Sequence, residues 1–350
     1  MKVKKLQMYH SNFKGYEMEK SSQDSNRNIS LDIARGIGII FVVICHIRYS
    51  FMTTYIYWFH MPLFFIISGF LFQRSNSNNK DNLILKLCEK TCKFLVPYVS
   101  FYLSILIVLR IDTCSWPLIM AEDLKLLLKG GVHLVGAFGP FWFITVLYFT
   151  QIAFLFITRY LSVKIGIITV MTCYILSHLS VFRNITIWDA NVTLYSLFFF
   201  GVGYLKAAYP LRKKVENRII IVSIIIVVLS IGLQAFGVMN YRLDMKHASY
   251  DSWILDMVIP SCFSLFILTV SEVLQKTKIG EGFAFIGKYT LPIMYLHIPV
   301  SYLILNHFEF QNMSIIQIVA SIIFPVLLSR FVFEKFAITR KMYLGAFHIS

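Results

Sequence analysis

DIARGIGIIFVVICHI, residues 32–47, is an apolar run with an arginine, Arg35, near one end and a histidine, His46, near the other. A run of this length and composition is helical in a bilayer, where every backbone polar group must find its partner within the segment. Each ionisable side chain buried in such a span costs about 2.5 to 3.5 kcal/mol on insertion scales, so two in one helix demand a reason. They are eleven positions apart; at about 100° per residue that is only about 20° beyond three full turns, with a rise of about 16 Å. Both side chains therefore share one face, and that face should turn toward a protein-lined cavity rather than lipid.

The rest of the chain has the same character. Of its 350 residues, 57% are hydrophobic and 15% charged, a balance that excludes an ordinary soluble domain. The sequence predicts an all-α polytopic membrane protein with about ten transmembrane helices, at 31–49, 55–73, 92–110, 140–158, 163–180, 191–208, 218–237, 252–271, 283–303 and 314–333. Three regions are expected: a cytoplasmic polar tail over 1–29, a membrane domain over 30–335 and a cytoplasmic tail over 336–350. The net charge of +15 is a matter of orientation and does not signal nucleic acid. Twenty-five of the 33 Lys and Arg fall on one side of the predicted membrane and seven on the other, which puts both termini in the cytoplasm. The polar first thirty residues contain no cleavable apolar signal. The connection 111–139 is expected to hold a short surface helix, with a re-entrant lid as the alternative. The six cysteines lack the spacing of a zinc site or disulfide framework and read as packing residues.

Depth then sorts the remaining ionisable residues. His46, His60, His297, Asp256 and His178 fall in one outer layer, whereas Arg35 and Lys288 lie in an inner one. Taken singly, each has an ordinary reading. Arg35 can snorkel and pair with Asp32, His178 can sit at the interface, the other histidines can bond backbone carbonyls, and Asp256 can neutralise one of them. Three histidines at one depth above a cationic pair are not explained that way.

These residues lie in recognisable surroundings. The Arg-x10-His pair of LDIARGIGIIFVVICH is followed by FHMPLFFIISGFLF at 59–72, FWFITVLYF at 141–149 and FIGKYTLPIMYLHIPV at 285–300. Together they resemble the integral-membrane acyltransferase family 3, in particular its fucose 4-O-acetylase-like and polysaccharide O-acetyltransferase branch, over residues 29–333. The resemblance implies an enzyme of the cell inner membrane, multi-pass, that moves an acyl group, usually acetyl from acetyl-CoA, onto a hydroxyl of a cell-envelope polysaccharide or its lipid-linked precursor. It implies acyl-CoA, an envelope glycan and membrane lipid as partners, with no bound cofactor and no metal. By position, Arg35 and His46 match the family's arginine and histidine of helix 1, His60 its histidine before PLFF, and His297 the histidine closing the helix 9 motif. Together with the layering, this makes His46 and His60 the expected catalytic residues, His297 and Asp256 a supporting polar layer, and Arg35 and Lys288 the acyl-CoA-binding cations. A neutral imidazole suits general-base work near neutral pH. The competing mechanism is an acyl-enzyme on a histidine or on Cys45, although Cys45 points about 100° away from His46 around the helix. A rival function from another class is a transporter or flippase of a glycan intermediate with the histidines as a proton relay, but the internal repeats such transporters often carry are not visible.

Overall fold

The computed structural model describes residues 28–47, 51–75, 82–113, 120–183, 187–250, 252–307 and 313–347. Most of the predicted N-terminal tail, and Cys114, lie outside these residues. The protein is 85% helical with no strands among the described residues. Its principal helices are α1 (Ile29–Ile47), α2 (Phe51–Tyr57), α3 (His60–Ser75), α4 (Leu83–Thr113), α5 (Met120–Lys129), α6 (Trp142–Tyr160), α7 (Val163–Ser177), α8 (Ala190–Ala208), α9 (Lys213–Ala235), α10 (Leu255–Leu274), α11 (Lys278–Lys288), α12 (Thr290–His307), α13 (Met313–Leu328) and α14 (Ala337–Leu344).

Among the described residues, seven helical segments are long and apolar enough to cross a membrane: Ile29–Ile47, Met52–Gln73, Leu83–Ile111, Gly136–Tyr160, Lys213–Ala235, Leu255–Leu274 and Ser314–Phe333. The other three expected spans coincide with α7, α8 and the α11–α12 pair; of these, α7 and α12 are apolar but shorter.

Two expected helices are broken, and the cause is the same in both. Proline lacks an N–H and its ring collides with the carbonyl four residues earlier. Pro62 therefore disrupts the helix at Trp58, and the chain turns at Trp58–Phe59 before restarting at His60. Pro292 does the same at Lys288, so the expected 283–303 span becomes α11, a junction at Tyr289, and α12. The consequence is positional: His60 opens a helix, and Lys288 closes one rather than lying a turn inside a continuous span.

The centre is assembled from helices that meet backbone to backbone. A Cβ on Gly36 of α1 would collide with the Phe283 carbonyl of α11, and one on Gly287 of α11 would collide with the Asp32 carbonyl of α1. Gly69 of α3 and Gly203 of α8 stand in the same reciprocal relation, against the carbonyls of Phe200 and Ile66. Small residues allow this approach, and dispersion between close backbones is what holds helices together where lipid offers no hydrophobic drive. α9 contrasts with them. Ile221, Val222, Ile225, Val228 and Leu229 are all exposed on it, as befits a lipid-facing rim helix.

The 111–139 connection carries the expected short helix, α5, followed by tight turns over Gly131–His133 and Gly136–Phe141. That second part tucks inward: Leu134, Pro140 and Phe141 are buried, and Phe141 packs on Tyr98 and Tyr295. At the other end of the chain, Tyr343 of α14 stacks on Phe333 with ring centroids 4.3 Å apart and shares a 2.6 Å hydrogen bond with Ser104.

Candidate active site

α1, α3 and α12 each bring one histidine to the same end of the bundle. The rings of His46 and His297 meet edge to face with centroids 5.1 Å apart, and His60 lies within electrostatic reach of His46. All three are held alike. The Nδ1 atoms of His46, His60 and His297 lie 2.8, 2.8 and 2.9 Å from the carbonyls of Val42, Ile56 and Ile293. Helical side chains lean toward the N-terminus, which brings each imidazole over the carbonyl four residues back. A carbonyl can only accept, so in the neutral ring the proton sits on Nδ1 and Nε2 is left with its lone pair. His60 and His297 are buried, and the Nε2 of His297 has no hydrogen-bond partner. His46 is exposed.

His46 opens onto a small pocket lined by Ile39, Val42, Met61, Phe64, Pro140, Trp142, Phe143 and Thr290. Among the described residues, His46 is the one titratable side chain on that lining. The arrangement is a single base at the lip of an apolar slot, backed by two further imidazoles.

Asp256 belongs elsewhere. Completely buried, it directs Oδ2 to Nε2 of His178 at 3.2 Å and accepts the Ser252 N–H at 2.8 Å. The Nδ1 of His178 faces the Tyr174 carbonyl at 3.0 Å, and Tyr174, Tyr195 and Tyr250 surround the ring. The Ser177 hydroxyl also lies 3.3 Å from that Nδ1, so both ring nitrogens have polar partners. Of the expected polar layer, the structure groups His46, His60 and His297, and sets Asp256 with His178. His178 is buried within the protein.

At the other end of α1, the Arg35 guanidinium lies 3.5 Å from Asp32 with a third of its side chain exposed. Lys93 of α4 is close enough for its charge to act on Arg35. One turn earlier, Lys90 donates to Gln151 at 2.9 Å and sits 4.5 Å over the Phe72 ring. Lys288 is exposed at the end of α11, one residue beyond the Gly287 contact with Asp32. Sequence reasoning passed over Lys90 and Lys93; the available signal was two lysines three residues apart running into an apolar helix.

It also passed over Lys246 and Asp189, which come from separate loops. Lys246 lies near enough to His46 to act on it electrostatically.

Comparison with known proteins bears on the chain as a whole. A family model described as an acyltransferase domain matches residues 28–333. The nodulation protein NolL of Mesorhizobium japonicum (strain LMG 29417 / CECT 9101 / MAFF 303099) is 27% identical over 195 residues, covering 52% of this chain and 48% of NolL. The chain thus spans about half the length of the curated relative it matches. No solved structure matches it.

Proposed function

Because the chain belongs to the acyltransferase domain family, we propose that it is a multi-pass enzyme of the cell inner membrane that moves acetyl from acetyl-CoA to a hydroxyl of a cell-envelope polysaccharide or its lipid-linked precursor. The observation that carries the reading is the polarity of α1: a fixed cation at one end and, about 16 Å along the same face, an exposed imidazole with an available Nε2 over an apolar pocket.

The charge bias of the loops supports a cytoplasmic Arg35 end, on the side where acyl-CoA is made. Arg35, Lys288 and Lys93 would meet its phosphates there, through the forked donors of arginine and the point charges of lysine. The flexible arm of the donor would extend along the bundle so that the thioester reaches the apolar pocket. The Nε2 of His46 then takes the proton of the acceptor hydroxyl as its oxygen attacks the thioester carbonyl. A carbon–oxygen bond forms, the carbon–sulfur bond breaks, and the departing thiolate takes the proton back from the imidazolium. Nothing is consumed except acyl donor and acceptor. The Val42 carbonyl fixes the His46 tautomer in the role that a carboxylate plays in hydrolytic triads. His60 and His297 would complete the polar side of the site, while Asp256 would secure its surroundings through His178.

The test is a strain lacking the gene, with its envelope glycans compared with wild type by proton NMR. Loss of O-acetyl signals that returns on complementation supports the reading; unchanged spectra for every envelope glycan overturn it.

A further inference from the structure

Resting on the acyl-transfer reading, and going beyond it to the acceptor, we propose that Lys246 is an acceptor-binding residue: its ammonium hydrogen-bonds a hydroxyl or ring oxygen of the glycan beside the hydroxyl that attacks, with Asp189 as the charge that holds it in place.

One short segment links the components. Val132 donates its N–H to Oδ1 of Asp189 at 2.7 Å. Further along, the carbonyls of Leu134 and Gly139 accept from the Lys246 ammonium at 2.8 and 3.3 Å. The next residue, Pro140, lines the His46 pocket. The segment therefore carries Lys246 to the pocket margin from a loop more than a hundred residues away in sequence.

An ammonium has three donors, and two are spent on those carbonyls. Among the described residues, the third meets no protein acceptor. Lys246 is half-buried; burial lowers its pKa, while the facing carboxylates of Asp189 and Asp244 oppose that. An uncommitted donor on a partly desolvated cation beside the proposed base suits an oxygen-rich ligand.

Asp189 explains how the cation is held. It is buried, its Oδ2 lacks any hydrogen-bond partner, and it and Trp188 both adopt φ near +50°, a strained region for residues other than glycine. Two glycines with positive φ make the conformation possible: side chains on Gly130 and Gly131 would press on the Trp188 ring and the Asp189 carboxylate. A buried carboxylate oxygen without a hydrogen bond is costly unless a charge compensates it, and Lys246 acts electrostatically on Asp189. The strained turn thus keeps a carboxyl group, ionised as the pH rises through about 7, behind Lys246 while leaving the lysine's free donor for a ligand.

The experiment uses the full chain in nanodiscs, radiolabelled acetyl-CoA as donor, and envelope glycan extracted from cells lacking the gene as acceptor. For Lys246→Met, the acceptor KM is expected to rise about tenfold or more, with the acetyl-CoA KM within a factor of two and kcat within a factor of three. Lys246→Arg should restore most of the acceptor affinity, and Asp189→Asn should raise the acceptor KM by a smaller factor. An unchanged acceptor KM in Lys246→Met overturns the proposal. So does a fall in kcat with both KM values unmoved, or a lowered thermal midpoint that Lys246→Arg also shows, since either would mark a merely structural lysine. If wild-type protein transfers no label to the glycan, the acyl-transfer reading itself falls and the assignment of Lys246 falls with it.

Discussion

The two ends of α1 solve opposite problems. At one end Arg35 is a permanent charge, answered by Asp32 and set among other cations. At the other, His46 is neutralisable, and its neighbours of the same kind, His60 and His297, are buried with Nδ1 committed to the backbone. A fixed charge suits holding an anion, and a lone pair kept free by a backbone carbonyl suits moving a proton. The same helix can do both because its face repeats after eleven residues.

That contrast predicts a separation in kinetics. His46→Ala should lower kcat for acetyl transfer by about 10² to 10⁴, the range for loss of a general base, with little change in the acetyl-CoA KM, as measured with protein in nanodiscs. The next effect should be structural and confined to the Arg35 end. Gly287→Val forces α11 away from the Asp32 carbonyl and should cost about 1 to 3 kcal/mol by thermal unfolding in detergent. Arg35→Gln should raise the acetyl-CoA KM about tenfold, the loss of one charge-assisted contact, while kcat stays within a few-fold. If Arg35→Gln instead lowers kcat as far as His46→Ala does, the two ends are not separate devices.

A smaller effect concerns pH. Burial raises the Asp189 carboxyl to about 7, against about 3.9 in an unfolded chain. Between those values the folded protein binds a proton that the unfolded chain has released, so raising the pH through this window lowers stability. The wild-type thermal midpoint should therefore fall by a few degrees relative to Asp189→Asn between pH 5 and pH 8, followed by differential scanning fluorimetry. The smallest effect belongs to the rim: Val228→Leu on the exposed face of α9 should change stability by less than about 0.5 kcal/mol.

What the sequence disclosed, and what it withheld, follows from the kind of information each feature needs. Arg35 and His46 were readable because helical periodicity alone fixes their common face. His60 and His297 were reached through depth, which counting along spans provides. Depth says nothing about which way a helix is turned, and Asp256 shares the histidine layer yet faces His178. The breaks at Trp58 and Tyr289 were encoded by Pro62 and Pro292, four residues beyond the disrupted carbonyls, but runs of hydropathy conceal them. Lys246, Asp189 and the Val132–Pro140 segment come together through the tertiary course of loops with no periodicity, which leaves no pattern to read.

The most direct measurement of the central claim is transfer from radiolabelled acetyl-CoA by wild type and His46→Ala, with free imidazole added to the variant. A free base near the pocket should replace the missing Nε2, so transfer should be lost in His46→Ala and partly restored by imidazole. Undiminished transfer by His46→Ala without imidazole would contradict the account.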